Sequence, residues 1–172
     1  MSNQSVLGTI PLNKSLAQST KFTFVIPTMP FLNYFVQTAN IPTVSTSAAP
    51  QANPHALIKR HGDTLVYDML VVTFLLDEDL QIWEESYNWL RALTKPQEFA
   101  QYKKFYNKEN KLYHDGILTI NTNSNIPNLR YTFRNMHPTS LGQVSYSTME
   151  NSQVVMSCDM TFEYDFFDLD RI

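Results

Sequence analysis

Cysteine is almost missing. Cys158 is the sole thiol among 172 residues, which excludes an internal disulfide, and one thiol with four scattered histidines has no structural zinc spacing. Glycine is also scarce, at four, and no phosphate-cradling glycine loop is present. Charge of one sign is lacking too. A formal net charge of −3 removes the basis for tight binding to a nucleic-acid backbone, which needs several Lys or Arg displacing counterions together. Long apolar runs are absent: no segment approaches a membrane span, and the N-terminus has no basic region followed by an apolar stretch. The expectation is a chain made and kept in a cytoplasm-like, reducing environment unless exported by some other route, with no membrane partner. His-Glu-x-x-His, Gly-x-Ser-x-Gly and paired-cysteine patterns are missing as well, so no catalytic constellation and no cofactor are expected.

What is there suits a packed, strand-rich domain. Apolar residues make up 43% and charged residues 17%, a folded composition. Aromatics reach 13%, which favours strands. The length fits one domain with a real core. Residues 1–20 are polar and read as an arm ordered by outside contacts, with a single domain over 21–172.

Along that domain, Lys21–Ile26 alternates as a strand and stops at Pro27 and Pro30. Phe31–Ala39 reads as a second strand pairing with the first. Thr43–His61 is rich in Ser, Ala, Asn and Pro, cannot supply a core face, and reads as a long exposed loop. Thr64–Leu76 is apolar at both parities in its centre, as in a strand buried on both faces. Asp77, Glu78 and Asp79 then open a helix over about 78–94, ended by Pro96. A spacing of about 100° per residue puts Leu80, Ile82, Trp83, Tyr87, Trp89, Leu90 and Leu93 on its packing side, and Leu80, Trp83, Tyr87 and Leu90 are taken as packing residues. The other side carries Gln81, Glu84, Glu85, Asn88 and Arg91. Residues 97–114 stay unassigned. Gly116–Thr122 and Asn128–Phe133 form a hairpin around Asn123–Pro127, Met136–Ser140 a corner, and Gly142–Ser147 a short strand. The closing strand, Val154–Phe166, puts Cys158, Met160 and Phe162 on one parity and Asp159, Glu163 and Asp165 on the other.

Few residues invite chemistry. The acids at 77–79 sit where a helix start favours carboxylates, so capping outweighs a cation site. His61 and Asp63, two apart, have no third partner, and read as a surface pair. Lys103 to Lys111, interleaved with Phe and Tyr, resembles a stacking platform for single strands, but the acidic balance opposes it. Cys158 falls on the buried parity and reads as core.

The order of these parts resembles the tail tube proteins of contractile-tailed bacteriophages. The resemblance is carried by Gly62-Asp63-Thr64-Leu65-Val66-Tyr67-Asp68 leading a strand, by Asp77-Glu78-Asp79 opening a Trp-containing helix, and by His137-Pro-Thr-Ser-Leu-Gly142 before a long closing strand. It implies a mainly β fold: two packed antiparallel sheets forming a β-barrel or sandwich, with one flanking helix. It also implies six copies closing into a ring, rings stacking into a tube, and a place in the virion tail after assembly in the host cytoplasm. Tail sheath, tape measure and baseplate proteins are the implied partners, with DNA as passing cargo. The 43–61 segment, with Pro50, Asn53, Pro54, His55, Lys59 and Arg60, lies where the family contacts the next ring. Asp159, Glu163 and Asp165 are candidates for the lumen wall, since carboxylates repel phosphate; a solvated outer face is the other reading. A tube-terminal or baseplate ring is a variant of this reading. A soluble β-sandwich module gripping a peptide or glycan through 43–61 and 103–111 is the alternative.

Overall fold

The computed structural model describes residues 14–96, 103, 105, 112–149 and 155–172. Its elements in chain order are β1 (Phe22–Val25), α1 (Pro30–Phe35), β2 (Val36–Ala39), β3 (Val44–Asn53), β4 (Ala56–Tyr67), β5 (Leu70–Leu75), α2 (Gln81–Thr94), β6 (His114–Asn121), β7 (Pro127–Leu141), β8 (Ser157–Glu163) and β9 (Phe166–Arg171). All strand pairs are antiparallel. The expected hairpin is present, with Asn121 opposite Pro127.

β7 is the strand that makes two layers from one ladder. Its first half lies between β6 and β9, with β1 beyond β6; its second half pairs with β8, followed by β5 and β2. The change of layer occurs at Asn135, whose φ of 51° is left-handed, a conformation asparagine tolerates better than most residues. The Asp115 carboxylate accepts the Asn135 backbone N–H at 3.2 Å and the Arg134 Nη1 at 2.7 Å. The other crossing is at the same level: Asp165, between β8 and β9, donates its N–H to the Arg134 carbonyl at 3.1 Å and accepts from the Asn135 side-chain amide. Strands that bend from one sheet into another make the corners of a sandwich. Among the described residues the ladder has no closing pair between β1 and β2, so the architecture is a sandwich and not a closed barrel.

The core lies between the layers: Phe24, Ile26, Leu70, Val72, Phe74, Leu118, Phe133, Met160 and Phe162 are all buried. Alternation supplies this face in β5 and β8, where Leu70, Val72 and Phe74 meet Phe162, Met160 and Cys158 in register.

Several sequence expectations change here. Residues 31–35 are helical: Pro30 suits the first helical turn, and the Asn33 side chain pairs with both backbone groups of Ile26, at 2.7 and 3.1 Å. β1 therefore pairs with β6 and β2 with β5, because α1 carries the chain from one layer to the other. β5 buries one face fully, and Val71, Thr73 and Leu75 on the other are half-covered. The expected 136–140 corner is instead the continuation of β7 to Leu141, and residues 142–147, expected as a short strand, form no regular element. The closing strand splits at Tyr164–Asp165, which shifts the parity and leaves Phe166 exposed while Phe167 packs on the core.

The α2 helix starts at Gln81, later than expected. Leu80 is its left-handed cap residue, and Asp77 reaches forward to accept the N–H groups of Gln81 and Ile82 at 3.1 and 3.4 Å. Its buried stripe is Ile82, Glu85, Ser86, Trp89 and Ala92, rotated from the expected one. Tyr87 is 41% exposed and stacks on Trp83 at 5.4 Å; Leu90 is half-buried. Trp89, the largest buried side chain, decides the rotation: it donates Nε1–H to the Leu112 carbonyl at 3.1 Å and packs against Phe105, His114 and Phe162.

Candidate functional site

The β3–β4 hairpin stands apart from the sandwich. Among the described residues each strand pairs only with the other, from Val44 opposite Tyr67 at the base to Asn53 opposite Ala56 at the tip. The segment expected as a loop is thus a long ribbon. Its composition denies it a core face, but backbone pairing needs none. Val44, Leu57, Ile58, Leu65 and Val66 are all exposed on it. A lone two-stranded ribbon is marginally stable in water, and open strand edges with apolar side chains attract other chains.

The ribbon has two built features. Midway, a bulge between Thr46 and Ala48 brings Ser47 against Gly62, where an added Cβ would lie 2.1 Å from the Ser47 Oγ and 2.2 Å from its carbonyl oxygen. At the base, Tyr67 packs on Tyr164 at 6.1 Å and Phe167 at 5.3 Å. Tyr164 donates its hydroxyl to the Asp68 carbonyl at 2.8 Å, and burial pushes its phenol up to about 12. This aromatic base was missed in the sequence. Tyr67 and Tyr164 lie far apart along the chain, and only a paired register brings them together.

The sequence-nominated residues fall as follows. Pro50, Pro54, His55, Lys59 and Arg60 are exposed near the ribbon tip; Pro50 faces Lys59 across the ladder, and Arg60 donates Nε–H to the Gln51 side chain at 3.2 Å. The backbone of Asn53 starts the tip turn. The three acids do not form one set. Asp159 and Glu163 occupy the outer face of β8. Asp159 accepts from the Thr73 hydroxyl at 2.7 Å, and Glu163 lies 3.9 Å from His137 Nε2. Asp165 instead holds the crossing at Asn135. Lys103 is exposed, and Lys104, Lys108 and Lys111 lie outside the described residues.

Among the described residues the candidate groups are not arranged for chemistry. Cys158 is buried and donates to the Gly142 carbonyl at 3.3 Å; burial raises its thiol above the usual range, the reverse of an activated nucleophile. Asp77 is occupied in capping, and no group of three or more metal-ligating side chains occurs among the described residues. No helix is long and apolar enough to cross a membrane among them.

Comparison with known proteins adds identity to this geometry. The profile of the family described as phage tail tube protein matches residues 9–169. The tail tube terminator protein of Enterobacteria phage T4 is 25% identical over 131 residues, covering 76% of this chain and 71% of that protein. Among solved structures, a chain of the anti-feeding prophage cap, its tube-terminating cap, superposes with a TM-score of 0.64 at 11% identity, over 98% of this chain and 99% of that one. A chain of the sheath–tube complex of the extracellular contractile injection system PVC gives 0.60 at 10% identity, over 92% and 94%. These two likenesses show the fold. With the family profile spanning nearly the whole sequence, the chain belongs to the phage tail tube protein family and is a structural component, not an enzyme.

Proposed function

We propose that copies of this chain close into a ring, with six as the expected number, coaxial with a phage tail tube whose channel passes DNA. The observation that carries this is the β3–β4 ribbon, twelve residues long in β4, whose exposed apolar side chains no other strand layer among the described residues covers. A second copy would cover them, and head-to-tail contacts of this kind close into rings when the rotation allows. Tail sheath, tape measure and baseplate proteins are the proposed neighbours, with assembly in the host cytoplasm before incorporation into the tail.

The relation to the T4 tail tube terminator favours a ring at the end of the tube over the repeating subunit. Negative-stain microscopy of the concentrated chain tests both points. Single rings that do not stack support the terminal position, and long tubes point to the repeating subunit. A chain that stays monomeric at every concentration and ionic strength overturns the ring.

A further inference from the structure

We infer that the guanidinium of Arg60 on one copy docks into a cavity at the base of the ribbon of the next copy. The inference rests on the ring reading and names one contact within it. The cavity, about 310 Å³, is lined by Tyr67, Asp68, Met69, Glu163 and Tyr164. Two acidic residues and two tyrosines bordering one opening suit a cation. Carboxylates accept the parallel N–H pairs of a guanidinium, and aromatic faces attract its charge. Both acids keep acceptor capacity: Asp68 uses Oδ1 for the Met69 N–H, and among the described residues Glu163 is approached by His137 at 3.9 Å.

Arg60 is the matching group. It is exposed near the ribbon tip, and its Nε–H is held by Gln51, which steadies the side chain and leaves its terminal nitrogens to bind. The ribbon and the β8–β9 region carry opposite charge: Lys59 and Arg60 against Asp63 on the first, and Asp159, Glu163, Asp165, Asp168 and Asp170 against Arg171 on the second. The chain's own Arg60 cannot reach its own cavity. It lies seven positions up β4 from Tyr67, roughly 23 Å at the strand rise of about 3.3 Å per residue. Each copy therefore offers the cation at one end of the ribbon and the receptor at the other, a heterologous contact whose repeat is set by ribbon length.

The test uses the full chain, with sedimentation to measure self-association and microscopy to score rings. Arg60→Glu and Glu163→Arg are each expected to weaken association by roughly 30-fold or more with an unchanged melting temperature, and the double variant Arg60→Glu/Glu163→Arg to recover most of it. Lys59→Glu, on the opposite side of the ribbon, is expected to do much less. In a separate chain carrying Arg60→Cys and Glu163→Cys, mild oxidation should give covalent ladders up to the ring size, with Cys158 buried and silent. Intact rings in Arg60→Glu, no recovery in the charge swap, or no crosslink in assembled rings overturns this contact and leaves the ring standing. A wild-type chain that never assembles overturns both.

Discussion

His114 lies 7% exposed beneath α2, with its ring edge toward Trp89 at 5.4 Å and Nε2–H donated to the Phe105 carbonyl at 2.8 Å. Burial lowers its pKa from the usual 6.5, more than the hydrogen bond and Asp115 raise it. The folded chain thus binds this proton less readily than the unfolded one. Stability is full above about 6.5 and falls as the solution is acidified below it. Urea titrations of wild type and His114→Gln between neutral pH and pH 5 check this: the variant is expected to lose part of the acid dependence. Tyr164 has the opposite sign at the alkaline end. With its folded pKa raised from 10 to about 12, mainly by burial and next by Asp68, its contribution is present below about 10 and drains away as pH rises toward 12. Tyr164→Phe is expected to cost about 1 kcal/mol at neutral pH for the lost hydrogen bond and to flatten that alkaline decline.

Elements inherit their limits from single groups. The α2 helix depends on Asp77, which caps two backbone N–H groups from outside the helix; Asp77→Ala is expected to lower global stability by about 1 kcal/mol, read from denaturant midpoints. The carboxylate cluster was legible in the sequence as a helix start, but its register was not, since the cap acts across a turn closed by the Leu80 N–H to the Asp77 carbonyl. The ribbon behaves differently because it adds no core. Gly62→Ala forces a Cβ into Ser47 and is expected to cost about 1–3 kcal/mol locally. Hydrogen exchange should quicken over residues 44–67 while the global melting temperature stays near wild type. A global loss of the same size would show that the ribbon folds cooperatively with the sandwich.

For the whole molecule, the proposed ring raises the question of which surface would face its channel. Asp165 is committed to the strand crossing, so substituting all three acids would mix a folding defect with a surface effect. Asp159→Ser/Glu163→Ser leaves the crossing intact. If the outer face of β8 lines the channel, Asp159→Ser should still form rings while DNA passage slows in tails carrying it, measured as ejection rate. Because Glu163 also lines the docking cavity, Asp159→Ser alone is the cleaner control: lost rings in that variant would put Asp159 at an interface between copies.

Local patterning, by itself, determined the strand-rich class, the β6–β7 hairpin, the acidic start of α2 and the buried parity of Cys158, Met160 and Phe162. These follow from turn chemistry and side-chain periodicity within a few residues. Only the tertiary structure decided that β7 serves both layers, that residues 30–35 turn as a helix between them, and that 44–67 pairs with itself as a ribbon with Ser47 against Gly62. It also decided that Tyr67 and Tyr164 meet at that ribbon's base. Each depends on pairing between segments distant along the chain, where the free energy of contact outweighs the local preference that composition records.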